Sequence, residues 1–163
     1  MNLRAHSFPA SVQRILGWFH VDFNPPLPPS NAEVAVATTI AIVGSLVADA
    51  LLVVIGTHVF TSTKGFVHFQ FSDYAKLTVI GVVIAGIGWP IVARMTSRPK
   101  WLFFRLAVAM TLVLFLPDLY ILYTGEPLKA VVVLMCMHVA IAVVTYKSLV
   151  VLAPVRRQRH RFH

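Results

Sequence analysis

Three ionisable side chains, Asp49, Asp118 and His138, stand inside long apolar runs of the chain. Placing such a group deep in a membrane span costs at least ~2.5 kcal/mol on insertion scales, so each is a functional-site candidate by default. At about 1.5 Å rise per residue, Asp49 lies roughly 16 Å and His138 roughly 15 Å from the same end of their runs, so the two share a depth. Asp118 lies about 7 Å from that end of its own run. It follows Pro117, whose missing amide frees the carbonyl of Val113 and tends to kink a helix. Hydroxyls share the helical faces of these groups: Ser45 with Asp49, Thr111 with Asp118, and Thr145 with His138. The chemistry open to this set is a proton or ion relay, or a pocket for a small polar headgroup, with His138 paired to Asp49 or Asp118. The plainer alternative is one hydrogen-bonded pair, Asp49 with His138, that fixes helix register and does nothing else.

Other chemistry is poorly served. Met135-Cys136-Met137-His138 offers soft ligands, but consecutive helical residues point in different directions and cannot converge on one ion. A haem would need a second axial ligand, and His58, the one candidate on another span, lies several turns from the depth of His138. No cofactor and no metal set is therefore expected. The chain has no Gly-rich phosphate loop, no His-Glu-x-x-His and no Gly-x-Ser-x-Gly. The single cysteine, Cys136, excludes an intrachain disulfide.

The elements that must hold these groups follow from composition. The 163 residues are 58% hydrophobic and 12% charged, with mean hydropathy +0.78. A soluble domain carries roughly twice that charged fraction, so lipid is the natural solvent. Four apolar runs of spanning length lie at about 34–60, 74–93, 101–123 and 128–152, joined by short connections. The expected fold is an all-α membrane protein, an up-down-up-down bundle of four transmembrane helices. Ser30-Asn-Ala-Glu33 is a capping box opening the first run, and Ser72 or Asp73 is the expected cap of the second. Gly81, Ala85 and Gly88 form a small-residue stripe on that second span that could receive a neighbouring helix.

Residues 1–33 precede the bundle, and no cleavable signal is expected in them. After Pro9, Val12, Ile15, Leu16 and Phe19 recur at helical spacing, with Gln13 and Arg14 off the stripe. This predicts a short amphipathic helix, lying in the interface or packed on the bundle. Pro25, Pro26, Pro28 and Pro29 then make a stiff link. Between the first two spans, the run Phe66-Val-His-Phe-Gln-Phe71 is a candidate for dipping into the membrane surface or for a protein contact.

The net charge of +8 comes from fourteen basic and six acidic residues. Nucleic acid is not the expected partner, because the surplus has a topological explanation. Arg4, Arg14, Arg94, Arg98, Lys100, Arg105, Lys147, Arg156, Arg157, Arg159 and Arg161 fall on the side of the termini, and Lys64, Lys76 and Lys129 on the other. By the positive-inside rule both termini are cytoplasmic. Arg94, Arg98, Lys100 and the tail of residues 154–163, with Arg156, Arg157, Arg159 and Arg161, are placed to meet anionic lipid headgroups. Arg105 and Lys147, one to two turns inside, are expected to snorkel.

Leu116-Pro117-Asp118, Gly125 and Met137-His138, set in four spans, resemble a group of small four-helix integral membrane proteins of actinobacteria. The resemblance covers about residues 34–153 and leaves the proline-rich link and Arg-rich tail outside. It implies the bundle and a plasma-membrane address, and brings no established activity. Two functions remain. The favoured one is a non-catalytic subunit or assembly factor that meets other membrane protein subunits through small-residue faces, the N-terminal helix or the aromatic loop. The alternative is a small proton- or ion-coupled transporter or channel using Asp49, Asp118 and His138.

Overall fold

A computed structural model of the chain describes residues 9–18, 26–60, 63 and 66–156. Arg4, Phe19, Pro25, Lys64, Arg157, Arg159 and Arg161, which carried expectations above, lie outside the described residues. The chain forms a short helix α1 (Ala10–Trp18) and four long ones: α2 (Asn31–Val59), α3 (Phe71–Met95), α4 (Pro99–Tyr123) and α5 (Leu128–Leu152). All four long helices are apolar enough and long enough to cross a membrane. The fold is an all-α membrane bundle.

Local chemistry sets the helix ends. At α2 the Ser30 hydroxyl accepts from Glu33 N at 3.2 Å, and the Glu33 carboxylate accepts from Ser30 N at 2.8 Å. Two of the helix's orphan amides are thereby satisfied. α3 begins earlier than its expected cap: Gln70 stands at the N-cap, with its carbonyl accepting from Asp73 N at 3.0 Å. Asp73 instead occupies the first turn, where a carboxylate complements the helix dipole. Pro99 opens α4 at a position where its missing amide costs nothing. Gly125, at φ +100, makes the α4–α5 turn in a left-handed conformation that side chains resist.

Around the bundle α2 touches α3 and α5, and α4 touches α3 and α5, while α3 and α5 also meet across the diagonal. The α2–α5 seam is the most extensive. The buried residues of α2, Ala37, Ala41, Ser45, Asp49 and Gly56, are mostly small, which lets neighbouring backbones approach closely. A Cβ on Gly56 would lie 2.9 Å from Val133, and one on Gly44 3.1 Å from Val144. The close approach of α2 to α3 falls at Gly86, where a Cβ would collide with Thr38. Gly81 and Gly88, from the expected stripe, face open space on this chain, and Ala85 between them packs at the edge of the core. The stripe lies more than a quarter of a turn off the Gly86 face, so it points away from α2.

The core has two parts. At the end bearing the α3–α4 turn, Trp89, Phe103, Leu102, Leu149 and Ala153 pack with Ala37 and Val92. At the opposite end Val133, Leu134 and Met137 pack with Leu52, Val53, Phe60 and Tyr74. Phe66, just before a single 3-10 turn at Val67–Phe69, and Phe69, at its end, fold onto that second cluster rather than project outward. Phe71, the last aromatic of the run, is exposed.

Candidate functional site

Each of the four long helices contributes a polar side chain to one zone of the bundle, in the half towards the α2–α3 and α4–α5 loops. From α2 comes Asp49, fully buried, whose Oδ2 accepts a hydrogen bond from the Thr78 hydroxyl of α3 at 2.8 Å. Its Oδ1 has no hydrogen-bond partner. From α4 comes Asp118, 3% exposed, whose Oδ2 lies 3.1 Å from His138 Nδ1 of α5. The contact has ion-pair distance without the alignment of a hydrogen bond, and neither atom has another partner. Of the two carboxylates offered to His138 by sequence, the direct contact is with Asp118. His138 remains within electrostatic reach of Asp49, as does Tyr74, and exposed His68 is within reach of Asp118. The edge of the Phe115 ring meets the imidazole, with centroids 6.4 Å apart.

The hydroxyls divide into two groups. Thr38, Thr39, Thr57 and Thr111 each donate to the carbonyl four residues back, at 2.7 to 3.0 Å, the usual local satisfaction of a hydroxyl in a helix. Ser45 and Thr145 do not: both are buried, and neither oxygen has a partner. Thr111 therefore does not join the buried set. It lines a lipid-facing groove of about 570 Å3 between α4 and α5, with Phe104, Phe115, Ala142, Tyr146 and Lys147.

Thr78 is the residue that sequence reasoning passed over. A hydroxyl two turns into a span is unremarkable alone, and its meaning comes from facing Asp49, which required knowing that α2 and α3 are neighbours at that depth. The soft-ligand run also separates in space: Met137 is in the core, Cys136 is exposed, and His138 turns to Asp118. Among the described residues no three His, Cys, Asp or Glu side chains gather as a metal-ligand set.

The opposite half is built differently. Trp89, fully buried, donates from Nε1 to the Ala153 carbonyl at 2.8 Å and packs against Phe103, which stacks on Tyr146. The basic residues cluster at this end. Arg105 lies over the Trp101 ring at 3.9 Å. Arg156 pairs with Glu33 at 2.7 Å, while its backbone exchanges two hydrogen bonds with Leu27. The link before α2 and the tail after α5 are thus tied together, and Arg156 is engaged within the chain as well as facing outward. Arg94, Arg98 and Lys100 stand at the α3–α4 turn of the same end, where Tyr146 donates to the Lys100 carbonyl at 3.3 Å.

Residues 26–158 match the family of unknown function DUF6069, and the chain belongs to that family. The match takes in the link from Pro26 and the start of the basic tail, both left outside the resemblance read from sequence. The Leu27–Arg156 bridge joins these two segments to each other. No curated protein and no solved structure matches the chain.

Proposed function

We propose that the chain is a non-catalytic subunit or assembly factor of a larger plasma-membrane complex, with its basic end and both termini in the cytoplasm. The observation that carries this reading is the sealed basic half. Trp89, Phe103, Leu149 and Ala153 fill the space between the helices, with the Trp89 indole N–H satisfied internally. Among the described residues the buried polar side chains of this half are Trp89 and hydroxyls such as Thr96 and Thr145, with no buried carboxylate or imidazole, whereas proton and ion paths are usually marked by ionisable groups. α4 meanwhile gives up little surface to its own bundle: 6% of its most apolar stretch is buried, against 33% for α5. That leaves a long apolar face and the α4–α5 groove to meet another membrane protein. Arg94, Arg98 and Lys100 sit where anionic headgroups would be, and α1, with Ile15 exposed, suits a place at the interface.

The test is purification in mild detergent followed by mass spectrometry. The reading expects other membrane proteins in fixed stoichiometry, lost when Leu112 and Leu116, exposed on α4, are both changed to Trp. Recovery of this chain alone would count against it. The alternative, a proton- or ion-coupled transporter, is favoured by one observation, the Asp118–His138 pair beside a buried Asp49. It expects Asp49→Asn and His138→Gln to abolish flux, whereas the subunit reading expects copurification to survive both.

A further inference from the structure

Tyr146 meets Lys100 and His138 meets Asp118, so α4 and α5 run antiparallel and touch at both ends. Between those contacts the groove of about 570 Å3 opens towards lipid. Its lining includes the small side chains Ala107 and Thr111 of α4 and Ala142 of α5, where larger residues would close the gap. Phe104 stands at the basic end of the groove and Phe115 at the other. The Thr111 hydroxyl is committed to the Ala107 carbonyl at 2.8 Å, so between the two rings the groove presents apolar surface.

The depth of the groove matches one leaflet. Phe104 and Lys147 each stand five residues from the basic-end terminus of their helix, about 8 Å inside it. Phe115 and Val139, at the far end, stand about 24 and 20 Å inside. The groove thus covers about 12–16 Å of depth, close to a single leaflet's half, about 15 Å, of the hydrocarbon core. It starts within reach of the headgroups and stops near the middle of the bundle, where the edge of Phe115 meets His138. Water is not there to fill it, and one acyl chain has the length to do so.

Charge at the mouth selects the headgroup. Lys147 lines the basic end of the groove and is exposed. Among the described residues no carboxylate pairs with it. At that depth a lysine carries its ammonium up to headgroup level. Tyr146, reaching the Lys100 carbonyl at 3.3 Å, brings the first turn of α4 to the same mouth. No side chain caps that helix and no acidic residue lies in its first turn, so its dipole adds to the positive field there. α5 has no acidic residue along its length.

We propose that the α4–α5 groove binds one anionic phospholipid of the leaflet at the basic end, with an acyl chain along Ala107, Thr111 and Ala142 and the phosphate on the Lys147 ammonium. The site goes beyond the subunit reading and does not depend on it. A filled groove leaves Val113 and Leu116, exposed on α4 outside the lining, for a protein partner. The experiment titrates the detergent-purified chain with phosphatidylglycerol or phosphatidylcholine and weighs the intact complexes by native mass spectrometry. The expected result is one phosphatidylglycerol per chain, bound saturably and in preference to phosphatidylcholine. Lys147→Gln should cut that preference about fivefold, the contribution of one basic side chain near an anionic lipid surface. Ala142→Trp fills the groove and should abolish saturable binding of both lipids, whereas Leu116→Trp should leave it intact. Lys147 is exposed, so its variant keeps the test decisive if Ala142→Trp does not fold. Equal affinity for the two lipids would overturn the proposal, as would a preference that survives Lys147→Gln or saturable binding that survives Ala142→Trp. A lipid-free dimer, with a second copy of the chain over the groove, would overturn it too.

Discussion

The two halves of the bundle solve the same problem in opposite ways. In the basic half the fully buried Trp89 indole is aimed at a main-chain carbonyl and surrounded by apolar side chains. In the loop half, polar groups from all four long helices are brought together and two features are left incomplete: Asp49 Oδ1 and the misaligned Asp118–His138 contact. A buried polar group without a partner costs free energy, so this zone contributes less to stability than the basic half. The difference teaches where to look for purpose. One half is filled by apolar packing, and the other carries the buried polar groups on which any chemistry of the chain would have to draw.

Substitutions can break this contrast or sharpen it. The largest effect belongs to Trp89→Ala, which empties the basic core and should cost about 3–5 kcal/mol, read as a lowered midpoint in detergent unfolding. If the basic half were not the structural anchor, the loss would be small. Next comes Gly86→Ala, whose new methyl meets Thr38. A cost of about 1–3 kcal/mol is expected for such overpacking, largely recovered in the double variant with Thr38→Ala. Gly81→Ala, in open space on its own chain, should change stability by less than about 0.5 kcal/mol.

That pair of glycines also shows what the sequence could disclose. The four spans, the Ser30–Glu33 cap and the isolated carboxylates were legible, because apolar length, capping residues and misplaced charge are local signals. Which glycine meets a neighbour was not, since Gly81, Gly86 and Gly88 look alike until the order of helices around the bundle is known. The same ignorance hid Thr78 and left His138 with two possible carboxylates. Aromatic residues at 66 and 69 read equally well as outward contacts, and only the return of the loop over Val133 and Met137 turns them inward.

Within the loop half, a double-mutant cycle separates the two carboxylates. Asp118→Asn with His138→Gln should show a coupling of about 1 kcal/mol, as residues in contact do. The cycle of Asp49→Asn with His138→Gln should give less, because those groups interact only at a distance. Equal couplings would mean that His138 serves both carboxylates alike. The smallest effect is expected from Arg156→Ala. Its ion pair with Glu33 is exposed, exposed pairs contribute little, and the Leu27 backbone bridge remains, so the unfolding midpoint should not move measurably.

The most direct test of the contrast is flux through the purified chain reconstituted alone in sealed vesicles, with proton and sodium gradients imposed in turn. The closed basic half predicts no flux above that of empty vesicles, however Asp49 and His138 are occupied. A flux carried by the wild-type chain and lost in Asp49→Asn would contradict it, and would make the polar zone part of a path through the membrane.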